Sequence, residues 1–194
     1  MNAFTNRRGS GRRGFTLVEL MVVIGIIGLL LTILYASFQG AREESRNTAV
    51  RTALKEAQLA LETYEAQNDH YPPIPTGFCT SSGGGERTRT SQACGELMIE
   101  DLAPDFISEV PTEDLSGNPN CNFIYVTEDS DEPNTYKLTA SECVEGVESQ
   151  AEGIGQDQEL ARCPSSCPTT GNCDPSDVAF YTSYAVYGNG GECY

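Results

Sequence analysis

The sequence predicts an α+β fold: one long N-terminal helix packed on a small antiparallel β-sheet, with loops stapled by disulfides. Three observations carry this. A short basic leader is followed by an apolar run that passes, without a proline, into an amphipathic helical pattern. Alternating β-rich runs come only later. Eight cysteines, Cys79, Cys94, Cys121, Cys143, Cys163, Cys167, Cys173 and Cys193, all lie beyond the apolar run. An even number of cysteines on one side of such a run is the usage of an exported, oxidised domain. Zinc is a poor fit, because there is no CxxC and the single histidine, His70, is remote from the close cysteine pairs.

The 194 residues suit one domain with an appendage. Four of the arginines, Arg7, Arg8, Arg12 and Arg13, sit in residues 1–14, which hold no acid; beyond them eight basic residues face 28 acidic ones, a charge of −20. Such a surface repels phosphate backbones, so no nucleic-acid partner is expected.

Residues 1–14 contain no apolar run and read as a leader whose positive charges stay on the cytoplasmic side. Phe15 to Phe38 follow, 24 residues with Glu19 as the only charge. As a helix they reach about 36 Å, enough to cross a hydrocarbon core of about 30 Å. Past the membrane the pattern continues. Val50, Ala53, Leu54, Ala57, Leu61 and Tyr64 recur at three-four spacing, with Arg51, Lys55, Glu56 and Glu62 on other faces. One helix of about 50 residues is predicted, ending near Asn68 to Pro73, where proline stops it. The domain limits expected are 1–14 for the leader, 15–39 for the membrane or filament-core half of the helix, and 40–194 for the head.

Thr80 to Gln92 hold no apolar residue and read as a surface loop between Cys79 and Cys94. A bridge between those two closes a loop that chain entropy values at about 3 kcal/mol. Gly95 to Leu102 reads as a short helix stopped by Pro104. Asn122–Thr127 and Thr135–Ala140 are β-rich runs around a turn at Asp129–Asn134. Folding that hairpin symmetrically about Glu132 places Ile124 opposite Ala140, Val126 opposite Leu138 and Cys121 opposite Cys143. Residues 144–177 need disulfides rather than a core to order them. A last strand is predicted at Val178–Tyr187, with Tyr184 and Val186 on one face. The partner of Cys193 among Cys163, Cys167 and Cys173 is open.

Glu19 stands in what this reading makes the second turn of the apolar helix, where hydrocarbon makes a charge costly. It could reach the headgroups from there. Cleavage after Gly14 offers a better account, because it removes the four arginines and creates a positive amine on Phe15. Paired between parallel neighbours, amine and carboxylate would cancel each other's desolvation and fix the axial stagger of one subunit on the next.

The segment Arg13-Gly14-Phe15-Thr16-Leu17-Val18-Glu19-Leu20 resembles the prepilin cleavage and methylation signature of type IV pilins and type II secretion pseudopilins. The resemblance implies that a membrane prepilin peptidase cuts between Gly14 and Phe15, that the Phe15 amine is methylated, and that Glu19 is the assembly glutamate. It implies an inner-membrane precursor, an assembly platform, and a homo-oligomeric helical filament on the cell surface or spanning the periplasm. Ala60–Tyr64, His70-Tyr71-Pro72 and Leu102–Pro111 further resemble the major pseudopilin plan. Members of that branch hold calcium in an acidic loop near the C-terminus. Asp174 and Asp177, or Asp129 and Asp131, could supply oxygen ligands here, but no spacing matches a calcium loop, so no cofactor or metal is expected.

Three functional classes compete. A filament subunit, in a type IV pilus or as the piston of a secretion pseudopilus, explains the leader, Glu19 and the two-part helix. A membrane-anchored, disulfide-rich binding module leaves Glu19 and the Gly14-Phe15 junction unexplained. An enzyme is not expected, since one histidine and no nucleophile elbow leave only ubiquitous carboxylates for chemistry.

Overall fold

The structure is a computed structural model and describes residues 14–77, 79–83, 86–146 and 182–190. Helix α1 spans Leu17–Asn68, 52 residues. The chain divides after Gly40 into two compact units. In the first, Phe15 and the large apolar side chains of α1 that are described between Leu17 and Phe38 are exposed.

In the second unit α1 packs on a five-stranded antiparallel sheet of order β1-β2-β3-β4-β5, formed by Ser81–Gly83, Glu86–Thr90, Asn122–Glu128, Tyr136–Ser141 and Tyr184–Gly188. Val50, Leu54, Ala57, Leu61 and Tyr64 are buried, as their spacing predicts, and Ala53 is half-buried. Their counterparts on the sheet are Phe123 and Tyr125 of β3, Tyr136 and Leu138 of β4, and Tyr184 and Val186 of β5. The helix ends with Asp69 in the left-handed region at φ 62°, its amide donating to the Glu65 carbonyl at 2.8 Å. The chain then turns under the sheet, where the Tyr125 hydroxyl donates to the Pro72 carbonyl at 3.0 Å. The Tyr71 and Tyr136 hydroxyls both donate to Glu62, at 3.2 and 3.3 Å. Burial first, and then the Glu62 carboxylate, pushes the pKa of both hydroxyls up, so they stay protonated donors.

The β3–β4 register differs by one residue from the symmetric one. Phe123 faces Ala140 and Tyr125 faces Leu138, while Ile124 faces Thr139 and Val126 faces Lys137. The aromatic pair therefore points into the core and Lys137, 1 % exposed, lies on the opposite face. Cys121 and Cys143 are nonetheless joined, with Cα atoms 4.3 Å apart. Glu142, at φ 54°, is an extra residue between the last ladder pair, Asn122 with Ser141, and the cysteines. Counting back from the cysteines thus gives the wrong ladder, because the bulge-like residue falls between the two.

Residues 81–83 and 86–90 form β1 and β2 instead of a loop. Arg87 and Arg89 of β2 face Thr127 and Tyr125 on the core side of the sheet. Arg87, 9 % exposed, binds Asp129 at 2.5 Å, Asp131 at 3.1 Å and the Ile74 carbonyl at 2.9 Å; Arg89, 4 % exposed, binds Glu100 at 2.7 Å and Thr80 at 3.0 Å. Their stems bury while their heads find carboxylates, so hydropathy alone hides the strand. The helix predicted at 95–102 begins earlier. Thr90 caps α2, Ser91–Cys94, by accepting from the Ala93 amide at 3.3 Å, and Gly95 at φ 58° turns the chain into a 3-10 turn at Gly95–Met98. Cys79 and Cys94 are joined at a Cα separation of 5.6 Å. Strand β5 starts at Tyr184, with Tyr184 and Val186 on the core face as expected; residues 178–181 of the predicted strand lie outside the described residues.

Candidate assembly site

Gly14, Phe15 and Thr16 lead into α1 in non-helical geometry, and the first helical residue is Leu17. That makes Thr16 the N-cap and puts Glu19 in the first turn, not the second. The two residues satisfy each other. The Glu19 amide donates to Thr16 Oγ1 at 3.2 Å, while Glu19 Oε2 accepts from the Thr16 amide and the Thr16 hydroxyl, both at 2.8 Å. This is a reciprocal capping box, which satisfies amides that the helix start would otherwise leave bare. The carboxylate also sits at the positive end of the helix dipole. The expected penalty for Glu19 is therefore smaller than its place in an apolar run suggests, and the pattern Thr-x-x-Glu ahead of that run was the signal for it.

Both contacts to the carboxylate use Oε2. Oε1 takes no hydrogen bond among the described residues. One carboxylate can thus hold its own helix start and offer a second oxygen outward. Phe15 is 89 % exposed, and nothing lies within 4 Å of a side chain built at Gly14, so the Gly14-Phe15 bond is open to approach. The helix beyond is long and apolar enough to cross a membrane.

The other expected site residues are in the head. Asp129 and Asp131 hold the Arg87 guanidinium, which takes up the negative charge a cation would need. No group of three or more metal-ligating side chains occurs among the described residues. Asp174, Asp177, Cys163, Cys167, Cys173 and Cys193 lie outside the described residues. A clamp that the sequence did not announce ties α1 to the loop after Cys143. Arg46 binds Glu145 through Nε, at 2.6 Å, and through Nη2, and Asn47 exchanges two hydrogen bonds with the Glu145 backbone at 2.9 and 2.8 Å. Gly117 and Ser116 also donate to Glu145 Oε1, at 2.6 and 3.2 Å. Partial burial pushes the Glu145 carboxyl up, but the bonds from Arg46 and Gly117 outweigh it and leave the group below the usual carboxylate range.

Residues 9–35 match the family described as the prokaryotic N-terminal methylation motif. The chain is 32% identical over 93 residues to the type IV major pilin protein PilA of Myxococcus xanthus, covering 47% of this chain and 42% of that protein. It is 36% identical over 67 residues to the type II secretion system core protein G of Escherichia coli, covering 34% and 46% of the two chains. With the type IV wide pilus major component PilA4 of Thermus thermophilus it shares 37% identity over 59 residues, 30% of this chain and 45% of that one. The chain thus spans less than half the length of each of these relatives. No solved structure matches it significantly.

Proposed function

We infer that this chain belongs to the type IV pilin and type II secretion pseudopilin family and is a structural subunit of a pilus or pilus-like filament. The observation that carries the reading is the exposed Gly14-Phe15 bond set directly ahead of a capped, apolar helix whose first turn holds Glu19. In this reading residues 1–14 are a leader removed by a prepilin peptidase, residues 15–39 form the membrane and filament-core half of α1, and residues 40–194 form the head. Cleavage frees the Phe15 amine, which is then methylated. The amine of one subunit meets Glu19 of its neighbour, and Oε1 is the oxygen left for it while Oε2 keeps the cap. An incoming subunit leaves the inner membrane because its apolar helix finds other helices and its carboxylate finds a cation.

The chain is a structural subunit in this reading and not an enzyme. The resemblance to secretion core protein G supports a second version, in which the same assembly is a short periplasmic piston. N-terminal sequencing of the mature chain tests the core of the proposal. N-methylated Phe15 is the expected first residue. An intact leader, or a new terminus near Ala36, would overturn it. Imaging then separates the versions: long surface filaments for a pilus, short periplasm-spanning ones for a pseudopilus.

A further inference from the structure

The head is short of exposed positive charge. Of its cations among the described residues, Arg87 and Arg89 are buried in ion pairs, Lys137 is buried in the sheet, and Lys55 is exposed on α1 but already engaged. Arg46 is bound to Glu145, and Arg51 pairs with Glu44 and lies over the Tyr184 ring. Arg42 is exposed and has no ion pair among the described residues. Elsewhere on the head a groove of about 290 Å³ opens beside α1. Apolar Ile107, Pro111 and Leu115 line it together with the carboxylates of Glu56, Glu109 and Asp114, and no cation lines it.

We propose that this groove receives the Arg42 segment of α1 from a second copy of the chain; the proposal rests on the filament reading above. Charge complementarity selects the occupant. The groove offers three acidic residues and no cation, and Arg42 offers the cation that they lack. Within one chain Arg42 makes no ion pair among the described residues, and the Glu56 end of the groove is out of its reach. Glu56 follows Arg42 by 14 residues on one helix, a separation of about 21 Å at the helical rise, well beyond the reach of an arginine. The two surfaces differ, so the contact is head-to-tail and propagates into an open array instead of closing a dimer. The copies it joins are offset by about 20 Å along the helix. Pairing Phe15 with Glu19 needs an offset of only four residues, about 6 Å, so the groove engages a different neighbour. Glu19 would then set the spacing of the nearest copies, and the groove would tie together copies further along.

Charge reversal in the full-length chain, expressed in the source cells, tests this. Arg42→Glu is expected to lower the yield of sheared filaments about tenfold, with Phe15 processed and the head disulfides formed as in wild type. Glu109→Arg or Asp114→Arg alone should also lower it. Combining Arg42→Glu with either groove reversal should restore the yield, because opposite charges face each other again. Wild-type yield from Arg42→Glu, or no recovery in either combination, overturns the groove contact while leaving the filament reading in place. Absence of filaments from the wild-type chain overturns both.

Discussion

Thr16 and Glu19 divide two tasks that a single substitution can separate. Thr16→Val removes the hydroxyl that the Glu19 amide uses and keeps a β-branched side chain. The first turn of α1 should then fray, read as a loss of helicity by circular dichroism in detergent, and filament yield should fall with cleavage unchanged. Glu19→Gln keeps an oxygen for the Thr16 amide but has no charge to offer an amine. It should be processed normally, retain its helicity and fail to assemble; normal filament growth in that variant would refute the pairing. The sequence revealed Glu19 as an anomaly because a lone acid stands out in an apolar run. The cap was equally legible in Thr-x-x-Glu, but treating Phe15 as the first helical residue moved the acid one turn too deep.

At the scale of elements, patterns of apolar residues were readable and patterns built from paired charges were not. The buried face of α1 followed from its three-four spacing. Strand β2 did not, because Arg87 and Arg89 occupy its core side and their carboxylate partners Asp129, Asp131 and Glu100 come from distant segments. The hairpin register was misjudged for a local reason: Glu142 adds one residue between the ladder and Cys143. On β5 the close approach is at Gly188, opposite Tyr136. A β-carbon there would come within 2.5 Å of both the Tyr71 hydroxyl and the Tyr136 ring. Gly188→Ala should therefore cost about 2 kcal/mol in overpacking, measured by chemical denaturation of the head. A variant as stable as wild type would mean that the tyrosine pair can shift without loss.

For the whole molecule, the division into apolar helix and acidic head was plain from composition, while the attachment of one to the other within the head was not. The clamp at Glu145 joins Arg46 and Asn47 to a loop about a hundred residues away, and no spacing rule reaches that far. Because the folded carboxyl titrates below its unfolded value of about 4.3, it stabilises the head above that pH and the contribution is lost as the pH falls through the folded value. Glu145→Gln should weaken the head at pH 7 and lose less on acidification to about pH 3 than wild type does. Equal losses in the two proteins would remove Glu145 from the account of acid sensitivity.

The first cysteine of the chain is Cys79, ten residues beyond the end of α1 and its cap. No disulfide can therefore fasten the helix to the sheet, whatever partners the remaining cysteines take. If the proposed filament is stretched, the load enters each head through α1 and falls on non-covalent shear across Val50, Leu54, Ala57 and Leu61 and on the Glu145 clamp. The bridged loops stand outside that load path. In single-molecule pulling from the N-terminus, the first rupture should be the peeling of α1 from the sheet, at a force that reducing agent leaves unchanged, with only the extension after rupture growing when the disulfides are opened.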